Sequence, residues 1–403
     1  MRVNRDNGML NKDGPTAVIL KEKNGKPARL ANMELLRCIA MMMIVVLHYL
    51  GKGDILADLS QPQLTDYGAA AWILECFCIV AVNVYMLISG YFSRVSSFRL
   101  SKLLKLYIQV WLYSVIIGFA AYFLGIYPAE EFSFHYVLTL VLPITMGHYW
   151  FMTAYVFMYI LMPLCAMAIK YMNRRQMQAA IALLLVFNCL LKSVIPARLE
   201  MDGQGYDFMW YLCVFMVAAY IGRFAGGAVV HWLQGIIIYF TGVVLIFVEL
   251  MALHIVYVKT GSLEHIIKIS IEYNHIFPLI AAIGLFMAFL KINIRGRAAA
   301  IITKISPYTL GVYLLHENIA LRYKWQKWLW ADRIDSVGNM LMFTAAAVVV
   351  VFIVGIAADV LRERLMRGLH AAFMHLKPYR FIVGRINDVG ELFSGDYYGQ
   401  GHD

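Results

Sequence analysis

Apolar residues are gathered into long segments along almost the whole chain, and short polar stretches separate them. About 20 consecutive apolar residues are needed to cross the hydrocarbon core of a bilayer as a helix. Segments of this kind lie at residues 33–51, 69–90, 104–126, 150–169, 176–197, 208–226, 232–257, 274–292, 304–320 and 338–361. They are too long for the strands of a membrane barrel, and they do not alternate polar with apolar residues. The pattern therefore predicts an all-α protein, a polytopic membrane bundle of about ten transmembrane helices.

Composition supports the same fold class. Hydrophobic residues make up 61% of the 403 residues and charged residues only 15%, whereas a soluble domain is about half apolar and a quarter charged. The net charge of +10 comes from basic residues in tails and loops. That placement is typical of membrane orientation rather than of nucleic-acid binding. We therefore expect the lipid bilayer as a partner, and no nucleic acid.

The basic loops predict the orientation of the bundle, because cytoplasmic loops carry an excess of Lys and Arg. With a cytoplasmic N-terminus, most basic residues fall inside: Lys21, Lys23, Lys26, Arg29, Arg94, Arg99, Lys102, Lys105, Lys170, Arg174, Arg175, Arg223, Lys291, Arg295, Arg297 and Lys304. The exception is the last outer loop, with Arg322, Lys324, Lys327 and Arg333. We expect a multi-pass protein of the cell membrane with both termini in the cytoplasm.

The pattern divides the chain into three parts. Residues 1–30 are polar and are expected to form a disordered cytoplasmic tail. Residues 31–361 form the membrane domain, and residues 362–403 form a basic cytoplasmic tail. Residues 362–378 have the composition of an amphipathic helix lying on the inner membrane surface, with a plain solvated tail as the alternative.

Cysteine usage gives no sign of a disulfide framework or a metal centre. All six cysteines fall inside apolar segments, where buried thiols are the simplest interpretation. Glu75, Cys76 and Cys78 lack the helical spacing that would bring three ligands together, and His316-Glu317 is not followed by the second histidine of a zinc-protease helix. No metal site is predicted.

Two ionisable residues stand in the first apolar segment. Arg37 and His48 are eleven positions apart, which in a helix is about three turns plus 20°, so both lie on one face about 16 Å apart. Arg37 is near the inner end, and His48 is in the outer half. Alone, Arg37 could extend to the lipid headgroups and His48 could form a hydrogen bond within the core. An ionisable group at such depth more often faces a pathway or a partner.

Other polar residues map to the same outer half of the bundle. They are Glu75, His148, Tyr149, Trp150, Tyr313, His316 and Glu317. An aromatic belt at the interface accounts for the tyrosine and tryptophan at the start of the fourth span. It does not account for buried carboxylates and imidazoles, so a polar site is predicted on this side.

A basic cluster marks the opposite side, beside the start of the third span. It contains Arg94, Arg99, Lys102 and Lys105. Orientation alone explains such a cluster. The alternative is a docking site for a phosphorylated cytoplasmic donor, because cationic side chains pair with phosphate.

Four segments of the chain, in order, resemble those of the acyltransferase family 3 membrane proteins of bacteria. They are "MELLRCIAMMMIVVLHYL" with its Arg-x10-His pair, "VNVYMLISGYFS", "GHYWFMTAYVFMYILMPL" and "YTLGVYLLHENIALR", within about residues 30–360. Where the family often has Arg-x2-Arg after the second span, this chain has Lys102-x2-Lys105 with Arg99 upstream. The charge is kept, but the bidentate guanidinium fork is lost.

The resemblance implies transfer of an acyl group, commonly acetyl, from acyl-CoA to a carbohydrate or other envelope acceptor. Acyl-CoA is then a donor substrate, and no tightly bound cofactor is expected. Arg99, Lys102 and Lys105 would bind the donor on the inner side. The identity of the acyl group and of the acceptor, and the oligomeric state, stay open.

The residues suggest roles in that chemistry. An imidazole can take the proton of a hydroxyl group near neutral pH, so His48 is the candidate general base, with Glu75 or Glu317 to orient it. A covalent acyl-histidine intermediate is the alternative to direct transfer. Arg37 would guide the CoA arm or hold the helix. Trp150, Tyr313 and His316 are candidates on the acceptor side. A transporter or proton-coupled carrier, or a polysaccharide flippase or polymerase, would use the same polar stripe as a pathway.

Overall fold

The computed structural model describes residues 30–92, 98–195, 202–225, 227–228 and 231–376, together with 380–381, 384–386 and 388. This part of the chain is helical and contains no strand, as predicted. Its α-helices are α1 (Ala31–Lys52), α2 (Asp66–Cys78), α3 (Ala81–Phe92), α4 (Leu100–Phe123), α5 (Phe134–Val141), α6 (Trp150–Tyr171), α7 (Arg174–Leu185), α8 (Leu191–Val194), α9 (Phe208–Tyr220), α10 (Trp232–Thr260), α11 (Ile276–Lys291), α12 (Gly296–Ile305), α13 (Thr309–His316), α14 (Trp325–Trp328) and α15 (Val337–Phe373). Outside the described residues lie residues 1–29 of the predicted N-terminal tail, Arg94 and most of residues 377–403.

Ten helical stretches in the described residues are long and apolar enough to cross a membrane. They are Ala31–Lys52, Asp66–Phe92, Leu100–Phe123, Trp150–Tyr171, Arg174–Val194, Phe208–Ala225, Trp232–Thr260, Glu264–Lys291, Gly296–His316 and Val337–Phe373. Each predicted segment overlaps one of them. The prediction of a polytopic all-α bundle is therefore confirmed.

Helix α1 lies at the centre of the bundle. It packs against α2, α3, α11, α12, α13 and α15, so it is apolar on most of its circumference. Hydrogen bonds hold both ends of the helix. The Tyr85 hydroxyl donates to the Arg37 carbonyl at 2.8 Å, and the Tyr49 hydroxyl donates to the Leu329 carbonyl at 2.7 Å. The two polar side chains of α1 are thus presented from a fixed helix, and we refer to the Arg37 end and the His48 end of the bundle.

The ninth span is interrupted, and it ends earlier than predicted. A 3-10 turn at Ser306–Tyr308 separates α12 from α13, where Pro307 lacks the N–H that a continuous helix needs. The prediction of a helix up to residue 320 is wrong, because α13 ends at His316. The side chain of Asn318 accepts a hydrogen bond from the Ala320 N–H at 3.0 Å, and this local turn competes with the helix.

Small residues let α13 approach its neighbour α15 closely. A Cβ atom added to Gly355 would lie 2.5 Å from the Cα of Val312, and one added to Gly311 would lie 2.4 Å from the Cβ of Asp359. Glycine at a helix interface permits such close backbone contact in a membrane. This contact fixes the helix that carries His316.

The last helix continues without a break through the end of the predicted membrane domain at residue 361. Its 37 residues extend about 55 Å, well beyond the roughly 30 Å of a hydrocarbon core. Residues 362–373, at the start of the predicted cytoplasmic tail, are helical and continue this helix. Leu365 and Leu369 are exposed there.

Candidate active site

His48, His316 and Glu317 form one cluster at the His48 end of the bundle. Nδ1 of His48 lies 2.9 Å from Nε2 of His316, and Nε2 of His48 lies 3.2 Å from Oε2 of Glu317. His316 and Glu317 are 3% and 4% exposed. The residues are joined across 268 positions of sequence by the packing of α13 against α1.

The hydrogen bonds determine which nitrogen of each ring carries a proton. Nδ1 of His316 lies 2.6 Å from the carbonyl oxygen of Val312, which can only accept, so this nitrogen is protonated. Nε2 of the neutral His316 is then an acceptor, and His48 donates to it from Nδ1. The remaining nitrogen of His48, Nε2, keeps its lone pair. The network therefore leaves a basic nitrogen next to the Glu317 carboxylate.

Two cationic side chains compensate the charge of Glu317. Lys52 forms an ion pair with the carboxylate, and Nε of Arg322 lies 3.5 Å from Oε1. Arg322 also donates from Nη2 to the carbonyls of His148 and Glu317, at 2.6 and 3.0 Å. These contacts hold the carboxylate in a fixed position.

Sequence reasoning missed Lys52 and Arg322 as members of the site. Lys52 lies four residues after His48, so both occupy the same face of α1. Arg322 belongs to the predicted outer loop that departs from the expected charge bias. The spacing of Lys52 from His48 and the unusual charge of the Arg322 loop are both visible in the sequence. Neither identifies Glu317 as the ionic partner without the fold.

His148 has a structural role beside this cluster. Gly147, with φ of +64°, allows the turn that places it. Its Nδ1 lies 2.9 Å from the Ser114 hydroxyl oxygen, and its Nε2 accepts from the Ile319 N–H at 2.8 Å. Burial, together with the charge of Arg322, lowers the pKa of His148 to about 3. Both ring nitrogens are occupied, so His148 fixes the loop rather than exchanging protons.

A cavity of about 490 Å³ opens beside the cluster, and we call it the His48 cavity. His48, Lys52, Glu75 and Glu317 line it, and so does Trp150. Glu75 is 7% exposed, and its Oε2 is buried without a hydrogen-bond partner. Of the two carboxylates considered as partners of His48, the structure places Glu317 against it.

A narrower cavity of about 70 Å³, the waist, adjoins the His48 cavity. Most of its wall is apolar, including Met41, Ile44 and Leu310. His48 and Trp150 line both cavities, so they stand at the junction. The predicted site residue Tyr313 also lines the waist, and its buried hydroxyl oxygen has no hydrogen-bond partner.

A third cavity of about 360 Å³, the Arg37 cavity, lies at the opposite end of α1. Arg37 and Lys102 supply its positive charge. Arg37 is tied to Glu34 at 2.8 Å, and Glu34 accepts from the Ser306 hydroxyl at 2.6 Å. Arg99 and Lys105 are exposed and are not part of the cavity wall. Of the residues predicted to bind or guide the donor, Arg37 and Lys102 therefore share one cavity, and Arg99 and Lys105 do not.

Another buried ion cluster, which sequence reasoning did not find, supports the rim of the His48 cavity. Lys192 pairs with Glu272 and, at 2.5 Å, with Asp202, and it donates to Asn274 at 2.6 Å. Burial would raise the pKa of Asp202, but the hydrogen bonds from Lys192 and Asn274 outweigh it and lower the pKa. The cluster ties the loop after α8 to the loop before α11.

Across the described ranges, no group of three or more His, Cys, Asp or Glu side chains is arranged to hold a metal ion. The described cysteines are all free, and five of the six are buried.

The family model of the acyltransferase domain, acyltransferase family 3, matches residues 30–359. Neither a curated protein nor a solved structure matches the chain. The matched region begins just before α1 and ends within α15, so it includes all three cavities.

Proposed function

The chain belongs to acyltransferase family 3 and is a membrane acyltransferase, and from that premise we propose that it moves an acyl group, acetyl in the simplest case, from acyl-CoA to a hydroxyl group of an envelope or exported carbohydrate. The observation that carries the proposal is the arrangement of cavities along α1. A positively charged cavity lies at one end, a polar cavity lies at the other, and His48 lines both the second cavity and the waist that adjoins it.

The donor enters at the Arg37 end. Its phosphates require cationic partners, which Arg37 and Lys102 provide in the wall of one cavity. The apolar residues Leu103 and Met158 of that wall suit the less polar arm that carries the thioester. Arg99 and Lys105, outside the wall, would act only on the part of the donor that stays at the mouth. The thioester reaches the waist, where His48 stands.

His48 acts as the general base from Nε2. It takes the proton of the acceptor hydroxyl while the oxygen attacks the thioester carbonyl carbon. Glu317 stabilises the imidazolium that forms, and His316 keeps the ring in the required tautomer. The carbon–sulfur bond then breaks, the imidazolium returns its proton to the thiolate, and the products are the ester and free CoA.

The charge that develops on the carbonyl oxygen needs a donor. The Tyr313 hydroxyl is buried, has no partner and lines the same waist as His48, at 6.5 Å between ring centroids. A donor positioned for the transition state stabilises it strongly in a dry site. We assign this role to Tyr313.

The waist also bears on the alternative functions. A transporter, flippase or polymerase using the polar stripe needs a path for its substrate through the bundle. The waist beside His48 has a volume of about 70 Å³, and its wall is mostly apolar. A space of that volume suits the narrow arm of a thioester better than a sugar or a hydrated ion.

The orientation that we propose for the bundle follows from the basic loops. The Arg37 end faces the cytoplasm, where acyl-CoA is found, and the His48 end faces the outside of a bacterial cell membrane. Both termini would then be cytoplasmic.

The test uses purified wild type and two variants of the base. His48→Ala and His48→Gln should each lower acetyl transfer from labelled acetyl-CoA to glycan in native membrane extracts by about a hundredfold or more. Acetyl-CoA should still stabilise both against heat, because the Arg37 cavity is untouched. Transfer by His48→Gln at a rate near that of wild type would refute the role of His48.

A further inference from the structure

The Arg37 cavity and the waist lie one above the other along the same helices, but they do not meet. Three helices supply one residue to each wall, and the two residues are four positions apart in every case. These pairs are Arg37 and Met41 on α1, Ser89 and Tyr85 on α3, and Tyr155 and Phe151 on α6. Four positions correspond to about 6 Å along a helix axis. Within the described residues the two cavities have no wall residue in common, so about one helical turn separates them.

Aromatic side chains occupy this separating turn. The ring of Phe151 lies 5.9 Å from that of Tyr211, with an interplanar angle of 22°, and 6.2 Å from that of Tyr85. Tyr211 belongs to the wall of the Arg37 cavity, whereas Tyr85 and Phe151 belong to the wall of the waist. The contact between Phe151 and Tyr211 therefore crosses from one cavity to the other. Aromatic rings at such separations attract each other.

Phe151 is the least constrained member of this group. The Tyr85 hydroxyl donates to the Arg37 carbonyl at 2.8 Å, which fixes that ring. Tyr211 is only 1% exposed and lies within α9. Phe151 is half-buried, stands at the second position of α6 and has no polar atom. Contacts with neighbouring side chains alone hold its ring, so this ring can swing aside while the two tyrosines stay in place.

The proposed transfer requires a molecule to cross this turn. The phosphates of the donor bind at Arg37 and Lys102, whereas the thioester must reach His48, which lines the waist. We propose that Phe151 is a gate between the Arg37 cavity and the waist, and that the arm of acyl-CoA displaces it; this proposal rests on the acyl transfer proposed above. The gate is closed in the structure. In this position it also separates two cavities that lie at opposite ends of α1.

A gate that the donor must open reduces the affinity for that donor, because only the open state accepts the arm. Adenosine 3′,5′-bisphosphate, the nucleotide end of CoA without the arm, does not have to open it. Phe151→Ala removes the ring contacts that keep the gate closed. Its affinity for acetyl-CoA should therefore rise about tenfold, while its affinity for the bisphosphate should equal that of wild type. Phe151→Leu, which keeps an apolar side chain of intermediate size, should change the acetyl-CoA affinity in the same direction but less.

The experiment measures both affinities by titration calorimetry with the purified full chain in detergent. The matched control is Phe157→Ala, which changes a phenylalanine of the same helix that is 53% exposed and lies outside the three cavity walls. It should leave both affinities unchanged. Unchanged or weaker binding of acetyl-CoA by Phe151→Ala, or an equal change for both ligands, would overturn the gate and leave the acyl transfer standing. If wild type bound the bisphosphate but not acetyl-CoA, or neither, the donor path itself would fail, and the gate with it.

Discussion

Replacing Glu317 by glutamine should separate the stability of the site from its chemistry. The substitution keeps the shape of the side chain and removes its charge. In the structure this charge faces Lys52 in an ion pair, Arg322 at 3.5 Å and His48 at 3.2 Å. Glu317→Gln therefore leaves two cations close together without a counter-ion.

The structure gives a rough magnitude for the loss. Unit charges 3.5 Å apart interact by about 5 kcal/mol at an effective dielectric constant near 20. Removing one partner of a buried pair usually costs about 3–5 kcal/mol. Because the side chains of Lys52 and Arg322 are 20% and 22% exposed, water screens part of this, and we expect about 3 kcal/mol. Loss of the group that stabilises the imidazolium should lower transfer by about a hundredfold.

The assay measures thermal unfolding in detergent and acetyl transfer at a temperature where every variant is folded. Glu317→Gln should unfold several degrees below wild type. Adding Lys52→Met removes one uncompensated cation, so the double variant should recover much of the stability but none of the activity. Glu130→Gln, which changes an exposed carboxylate, is the control and should match wild type. An unfolding temperature unchanged by Glu317→Gln, or a double variant less stable than the single one, would refute the reasoning.

Three further outcomes are expected. His148 stays neutral in the folded state to about pH 3, whereas the unfolded chain protonates it near pH 6.5. The free energy of unfolding should therefore fall below pH 6.5 by up to about 1.4 kcal/mol per pH unit. His148→Gln should show a shallower dependence of unfolding on pH between pH 7 and 5. Replacing Lys102 by an uncharged residue should raise the KM for acetyl-CoA, whereas the same replacement of Lys105, outside the cavity, should change that KM little. Equal effects of the two substitutions would argue against the Arg37 cavity as the donor site. A cysteine at Gln63 should react with an impermeant reagent in intact cells and one at position 390 should not, and the reverse pattern would invert the proposed orientation.

The sequence could predict depth in the membrane but not neighbours across the bundle. Each helical residue adds about 1.5 Å along the axis, so a position within a span sets how deep a side chain lies. Sequence placed His48, Glu75, His148 and His316 in the same half for this reason. The rotation of each helix about its axis depends on packing, as in the close contact between Gly355 and Val312. Only the fold could show that His316 bonds to His48 while His148 bonds to Ser114.

The choice between the two carboxylates depended on packing across the bundle. The N–H of Glu317 still bonds to the Tyr313 carbonyl at 3.0 Å, so Glu317 follows His316 by about one helical step of 100°. Both side chains nevertheless reach His48, at 2.9 and 3.2 Å. The position of α13 against α1 brings them there, and hydrophobic periodicity does not report that contact.

Arg322 connects the charge pattern of the loops with the site. In the predicted orientation Arg322 lies in an outer loop, where a basic residue opposes the usual bias toward positive charge inside. Here its guanidinium faces Glu317 and donates to the carbonyls of His148 and Glu317. Burying a carboxylate that is 4% exposed is costly without such cationic partners. The departure from the orientation rule is then a requirement of the buried charge, and the same reasoning explains why Lys52 stands one helical turn after His48. In a membrane protein, basic residues on the side that should lack them are therefore a place to look for a buried carboxylate.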